Sequence, residues 1–221
     1  IGLYEFYHIA GKNGFSPFRI SGIAAGVWLS VSYWLSIRTN AGIDYHFFRQ
    51  ETLVILIFWL LLIQAFARGT KDAIKNIAVT IFGIFYVVFL LSFAIALRHF
   101  PQGLCVVILV LLVSKFGDIG GYLLGRKYGK HKLAKVISPN KTIEDACFSL
   151  ASSVFIALIF NFIPQTKVMS LPWSMVFGVI VGFSALLGDL AESLLKRDAN
   201  VKDSGRLVPA FGGVLDVIDC L

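Results

Sequence analysis

Long apolar stretches separated by short polar ones organise this chain. A helical membrane crossing takes about 20 predominantly apolar residues, with roughly 17 to 25 tolerated. The stretches near that length are Ile20 to Ile37, Thr52 to Ala67, Ile77 to Leu97, Leu104 to about Leu124, Ala146 to Ile163 and Trp173 to Leu187, and another begins at Val214. The pattern predicts an all-α, polytopic helical integral membrane protein: a single transmembrane domain over 1–221 with about six to seven spans. The chain opens on Ile1 without a methionine and stops at Leu221 inside what reads as a new helix. It is therefore expected to be a fragment lacking both termini.

The fourth stretch reaches full length only by including Lys115 and Asp118, within "VSKFGDIGGYLLG". Ionisable groups at membrane depth are expensive and face a bundle interior or a wet cavity. The alternative ends the span near Val113 and leaves both charges at the interface.

Composition supports the membrane reading, with 57% hydrophobic and only 15% charged residues and a mean hydropathy of +0.79. The formal charge of +7 has no soluble basic domain to hold it, so nucleic acid is not an expected partner. Basic residues beside spans set topology and attract anionic headgroups. With the N-terminus inside, all 20 lysines and arginines but Arg38, Arg49, Arg98 and Lys167 fall on the inner face. Under that topology the two long polar connections, 115–145 and 188–219, both face the cytoplasm.

Cys105, Cys147 and Cys220 stand singly among apolar neighbours and are expected to be buried, inert thiols. The histidines at 8, 46, 99 and 131 are scattered, with no paired Ser or Cys nucleophile, which removes support for triad hydrolysis. Trp28, Trp34, Trp59 and Trp173 suit lipid-facing or interfacial positions.

The densest chemistry is in "GDLAESLLKRDANVKDSGRLVPAFGGVLDVID", Gly188 to Asp219. Asp189, Ser193 and Lys196 recur at i, i+4 and i+7, one face of a helix continuing inward from a span. Lys202 and Asp203 follow, and the pair Gly212-Gly213 leads into Asp216 and Asp219, whose spacing also shares a face. Hard divalent cations take oxygen ligands and are held by one or two carboxylates together with substrate phosphates. Aspartates converging beside lysines therefore suit metal-assisted phosphoryl or nucleotidyl transfer. Adjacent glycines permit close backbone approach or positive φ, or simply a turn.

The second polar segment, "GDIGGYLLGRKYGKHKLAKVISPNKTIEDA" from Gly117, fails the Walker A spacing, so a P-loop is excluded. Gly117, Gly121, Gly125 and Gly129 recur every four residues, a spacing that suits close helix packing at least as well as phosphate binding. Thr142 to Asp145 fits a T-x-x-D cap before the apolar run from Ala146. Lys141 beside that helix start is a candidate phosphate ligand.

"SLLKRDANVKDSGRLVPAFGGVLDVID", Ser193 to Asp219, resembles the C-terminal signature of the phosphatidate cytidylyltransferase (CDP-diglyceride synthase) family. It keeps the spacing of Ser193, Lys196, Arg197, Lys202, Asp203, Gly212, Gly213, Asp216 and Asp219. Upstream, "GDIGGYLLGRKYGKHKL" and "SPNKTIEDA" resemble further family stretches in the same order, and "LYEFY" more loosely resembles the family's opening. Two positions depart from the pattern: Phe211 stands where the family usually has His, and Val217 where it usually has Arg.

The resemblance implies that phosphatidic acid attacks the α-phosphorus of CTP, forming CDP-diacylglycerol and releasing pyrophosphate. It implies Mg²⁺ held by Asp189, Asp216 and Asp219, with a second metal or a monovalent cation as a further possibility. Lys196, Arg197, Lys202 and Asp203 would engage substrate, Ser193 would orient a phosphate, and Asp118, Lys141 and Glu144 would complete the site. Expected partners are CTP, phosphatidic acid, the lipid bilayer and a second copy in a homodimer, in a bacterial inner membrane with the site facing the cytoplasm. The rival from another class is an ion-coupled transporter with Lys115, Asp118, Asp189 and Asp216 along its path. A CDP-alcohol phosphotransferase is discounted because its Asp-Gly motif is absent.

Overall fold

The computed structural model describes residues 1–38, 45–163, 168–205 and 212–219. Phe211 and Cys220 lie outside them. Among the described residues, five helical segments are long and apolar enough to cross a membrane: Glu51–Arg68, Ala73–Arg98, Gly103–Tyr128, Ile143–Phe162 and Leu171–Asp198. Large apolar side chains such as Phe58, Phe155 and Ile180 are exposed along them, which in water would be costly and in lipid is the expected outer face. All four tryptophans are exposed as well, as a lipid-facing placement requires. The chain is thus an all-α membrane protein, and its contacts divide it into two compact units.

The first unit comprises residues 1–96 and 199–215. It opens with α1 (Gly2–Lys12), which the apolar pattern does not announce because it is too short to span. Its inner face buries Leu3, Glu5, Phe6, Tyr7 and Ile9. Helix α2 (Arg19–Arg38) packs on α3 (Tyr45–Ile63), which continues through a π-helical turn, Gln64–Arg68. The next span is composite: α4 (Ala73–Gly83), a π-helical segment Ile84–Phe89, and α5 (Leu90–Arg98), within which the division between the units falls. Tyr7 is wholly buried and donates its phenol to the Thr80 carbonyl at 2.8 Å. Burial pushes that phenol above its ordinary pKa, which keeps it a donor.

The second unit comprises residues 97–198 and 216–221. Helices α6 (Gly103–Tyr128), α7 (Ile143–Phe162) and α8 (Leu171–Asp198) pack together around Leu109, Val113, Ala157 and Phe160. The fourth stretch is one continuous helix, and Lys115 and Asp118 lie inside α6. The four-residue glycine repeat is a packing surface. A Cβ on Gly121 would stand 3.2 Å from Ser149 Cβ, and one on Gly117 or Gly125 would collide with Ser153 or Asp145 of α7. Cys105 is only partly buried, and Cys147 is exposed on the outer face of α7, so the expectation of buried thiols fails for Cys147.

Between α6 and α7 runs a small hairpin that hydropathy gives no sign of. Strand β1 (Lys132–Ala134) pairs antiparallel with β2 (Ser138–Thr142), Lys132 opposite Thr142. β2 ends in the expected cap. Thr142 Oγ1 accepts the Asp145 N–H at 3.1 Å, and Asp145 Oδ2 accepts the Thr142 N–H at 2.6 Å. The last element, α9 (Val214–Ile218), crosses the division between Leu215 and Asp216.

Candidate active site

The C-terminal end of α8 gathers the polar groups of the second unit. Asp189, Glu192, Ser193 and Lys196 fall at i, i+3, i+4 and i+7, so the helix turns one stripe of charge toward its neighbours. Ser193 Oγ is 3.4 Å from Asp189 Oδ1, and Lys141 Nζ, from β2, donates to Asp189 Oδ2. That pair connects residues 48 apart in sequence. One turn further along, Lys196 Nζ donates to Asp216 Oδ1 at 2.8 Å and stands 3.4 Å from Glu192 Oε1.

Glu192 was missed in the sequence. Its side chain is wholly inaccessible and receives no well-directed hydrogen bond, while Asp216 and Asp219 act on it as acidic neighbours. The signal was available, since Glu192 occupies the i+3 place in the same stripe as Asp189 and the i−4 place from Lys196. Asp219 lies among Asp189, Glu192, Lys115 and Asp118. Burial, then the Asp189 charge, pushes its carboxyl above the usual carboxylate range.

A cavity of about 240 Å³ opens beside this cluster, lined by Asp118, Tyr122, Asn140, Lys141, Asp145 and Asp189 among others. It unites Asp118, Lys141 and Asp189, which sequence had placed on two separate loops. Arg197 Nε lies 3.4 Å from the Ile137 carbonyl, attaching the end of α8 to the hairpin. Lys115 Nζ donates to the Val217 carbonyl at 2.6 Å, so a cation stands by the backbone where the family usually places an Arg side chain.

Three further expected residues make contacts of their own. Glu144 does not line the cavity; its carboxylate accepts the N–H groups of Lys130 and His131, each at 3.1 Å, and meets His131 Nδ1 at 2.7 Å. Lys202 and Asp203 belong to the first unit, where with His8, Lys12 and Ser204 they line a cavity of about 500 Å³.

The donor set suits a hard cation, because every acidic group in the cluster is a carboxylate oxygen donor. Asp189 and Asp216 each already face a positive charge, in the form of a lysine amine. Among the described residues, no three His, Cys, Asp or Glu groups stand together closely enough to enclose one ion.

The chain is similar to known proteins along its whole length. The family model described as the Cytidylyltransferase family matches residues 1–221. A phosphatidate cytidylyltransferase of a Synechocystis species is 29% identical over 246 aligned residues, covering 99% of this chain and 80% of the relative. One of Chlamydia pneumoniae is 31% identical over 234 residues, covering all of this chain and 75% of the relative. One of Staphylococcus saprophyticus is 40% identical over 118 residues, covering 53% of this chain and 45% of the relative. With a family match from its first residue to its last, on a helical membrane scaffold whose charged stripe gathers carboxylates and lysines, the chain belongs to the cytidylyltransferase family.

Proposed function

We propose that the chain is a magnesium-dependent phosphatidate cytidylyltransferase, transferring CMP from CTP to phosphatidic acid at the cytoplasmic face of a bacterial membrane. The observation that supports it most is the joining of two sequence-distant polar segments at one end of α8 through Lys141 with Asp189, beside the pair of Lys196 with Asp216. A site on the inner ends of membrane helices can meet both a lipid phosphate and a soluble triphosphate.

In the proposed reaction an oxygen of the phosphatidate phosphate forms a bond to the α-phosphorus of CTP as the bond between that phosphorus and the α,β-bridging oxygen breaks. Pyrophosphate leaves with the electron pair. No strong base is required, since a phosphate monoester is already anionic at neutral pH. One or two of Asp189, Asp216 and Asp219 at a time, together with substrate phosphates, would hold Mg²⁺, which supplies charge neutralisation for phosphate oxygens. Lys141 at the cavity and Lys196 one turn along the stripe, both already set against carboxylates, hold positive charge without the reorganisation that water would need. Ser193, fixed by Asp189, is placed to orient a phosphate oxygen. Arg197 and Lys202 are assigned to substrate phosphates, and Asp118 and Asp203 to substrate contacts. The engagement of Glu144 with the turn before β1 supports a supporting role for it. The distribution of lysine and arginine supports the cytoplasmic orientation.

The transporter reading gains nothing from the family match. Incubating purified protein with labelled CTP, phosphatidic acid and Mg²⁺ in detergent, with and without EDTA, tests the proposal. A CDP-lipid that forms only in the presence of metal is the expected result. Folded protein that makes none would overturn the proposed reaction.

A further inference from the structure

Glu5 lies in α1, remote in sequence from every residue assigned to the reaction, and is only 3% exposed. Its Oε1 accepts the Val214 N–H at 3.0 Å and its Oε2 the Leu215 N–H at 2.8 Å, with Ser204 Oγ 3.4 Å from Oε2. A buried carboxylate is costly unless donors fill its oxygens. Here two of the donors are the N–H groups that open α9, and the opening N–H groups of a helix have no partner inside it.

The glycine pair ahead of α9 is explained by the same contact. Gly212 takes φ +99°, a left-handed turn that favours glycine. Gly213 does a different job, because a Cβ there would meet the Ser204 hydroxyl first and would lie 2.6 Å from Glu5 Oε2. Gly205 is constrained likewise, with its would-be Cβ 2.8 Å from Glu5 Oε1.

We propose that Glu5 is a positioning residue for cytidylyl transfer: it fixes the first turn of α9 and so the direction in which Asp216, the residue after Leu215, leaves the backbone. The proposal rests on the reading of Asp216 as part of the reaction machinery. A helix of five residues cannot hold itself by its own hydrogen bonds, so its start must be set from outside. Glu5 supplies that setting through hydrogen bonds that cross more than 200 residues of sequence. It acts on the reaction only through Asp216.

The test uses the whole chain, purified, as Glu5→Gln and separately as Gly213→Ala. Glutamine keeps the shape but turns a donor amide toward N–H groups, and alanine puts a methyl where the carboxylate lies. Amide hydrogen exchange over 212–219 is measured together with kcat, KM for each substrate and the Mg²⁺ concentration for half-maximal rate. Exchange at Val214 and Leu215 should quicken while α6 to α8 stay protected. kcat should fall about tenfold or more, the scale on which a misplaced group acts, with both KM values unchanged and the Mg²⁺ requirement raised. Wild-type exchange in either variant overturns the proposal, and so does quickened exchange with unchanged kcat and Mg²⁺ requirement. If Glu5→Gln also loses protection in α6 to α8, Gly213→Ala decides by the same criteria. A wild-type chain that makes no CDP-lipid is a separate failure, that of the reaction itself, and is seen without any Glu5 variant.

Discussion

Lys196 Nζ lies 2.8 Å from Asp216 Oδ1 and 3.4 Å from Glu192 Oε1, so one amine serves two carboxylates that are themselves almost closed to solvent. Removing one partner of a buried ion pair leaves the other charge uncompensated, at a cost of about 3–5 kcal/mol. Lys196→Met should therefore destabilise the protein by an amount on that scale. Adding Asp216→Asn should restore part of the stability, because it removes the charge that the lost amine leaves stranded, yet it should not restore turnover. Unfolding in detergent and CDP-lipid formation, measured on the single and double variants, separate the two effects. Stability that stays low in the double variant would mean that the Asp216 charge is not what the amine offsets.

Asp216→Asn changes one oxygen into an amide with little change in volume. It should lower kcat about a hundredfold or more, on the scale of losing one group that stabilises charge in a transition state. Membrane insertion and elution from gel filtration should be unchanged. Near-wild-type turnover by the folded variant would sink the assignment of Asp216 as a metal ligand.

Much of this arrangement was legible in the sequence, and what was not has physical reasons. The charged stripe from Asp189 to Lys196 follows directly from helical spacing, and Thr142 with Asp145 forms the cap that its motif predicts. Glu192 stayed hidden because an acidic residue beside a helix end has a solvated face as its ordinary explanation, and only packing shows that this one has no water. Helix α1 stayed hidden because the membrane signal is a matter of length, and eleven residues are too few to span. Glu5 could not have been found locally, since its partners lie at the other end of the chain. The four-residue glycine repeat was legible as a surface but ambiguous in purpose until Ser149, Ser153 and Asp145 were seen against it.

The same repeat gives a stability prediction. A Cβ on Gly125 would overlap the Asp145 carboxylate, which is also the group that accepts the Thr142 N–H. Gly125→Ala should cost about 1–3 kcal/mol by overpacking, and the lost cap should add about 1 kcal/mol. Thr142→Ala alone should show only the smaller loss. Comparing the two in detergent unfolding checks the order, and equal losses would mean that α6 and α7 separate easily at Gly125.

Lys115 supplies the last test, because it joins a cation within α6 to a departure from the family pattern. Its Nζ donates to the Val217 carbonyl at 2.6 Å and lies within influence of Asp219. The family's usual Arg at position 217 would bring a cation on the side chain, whereas here a cation from α6 reaches the same stretch of backbone. Lys115→Met removes the donor and leaves the carbonyl without it, which costs about 1–3 kcal/mol when the group is buried. It should also lower kcat, because α9 then loses one of the contacts that hold Asp216 and Asp219. If Lys115 takes over the role of the missing arginine, Val217→Arg in the Lys115→Met background should recover part of the lost activity. The same Arg in the wild-type background should bring little gain, since a cation is already in place. Assaying CDP-lipid formation for the four chains decides it. Full activity in Lys115→Met would show that the amine at Val217 has no part in the reaction.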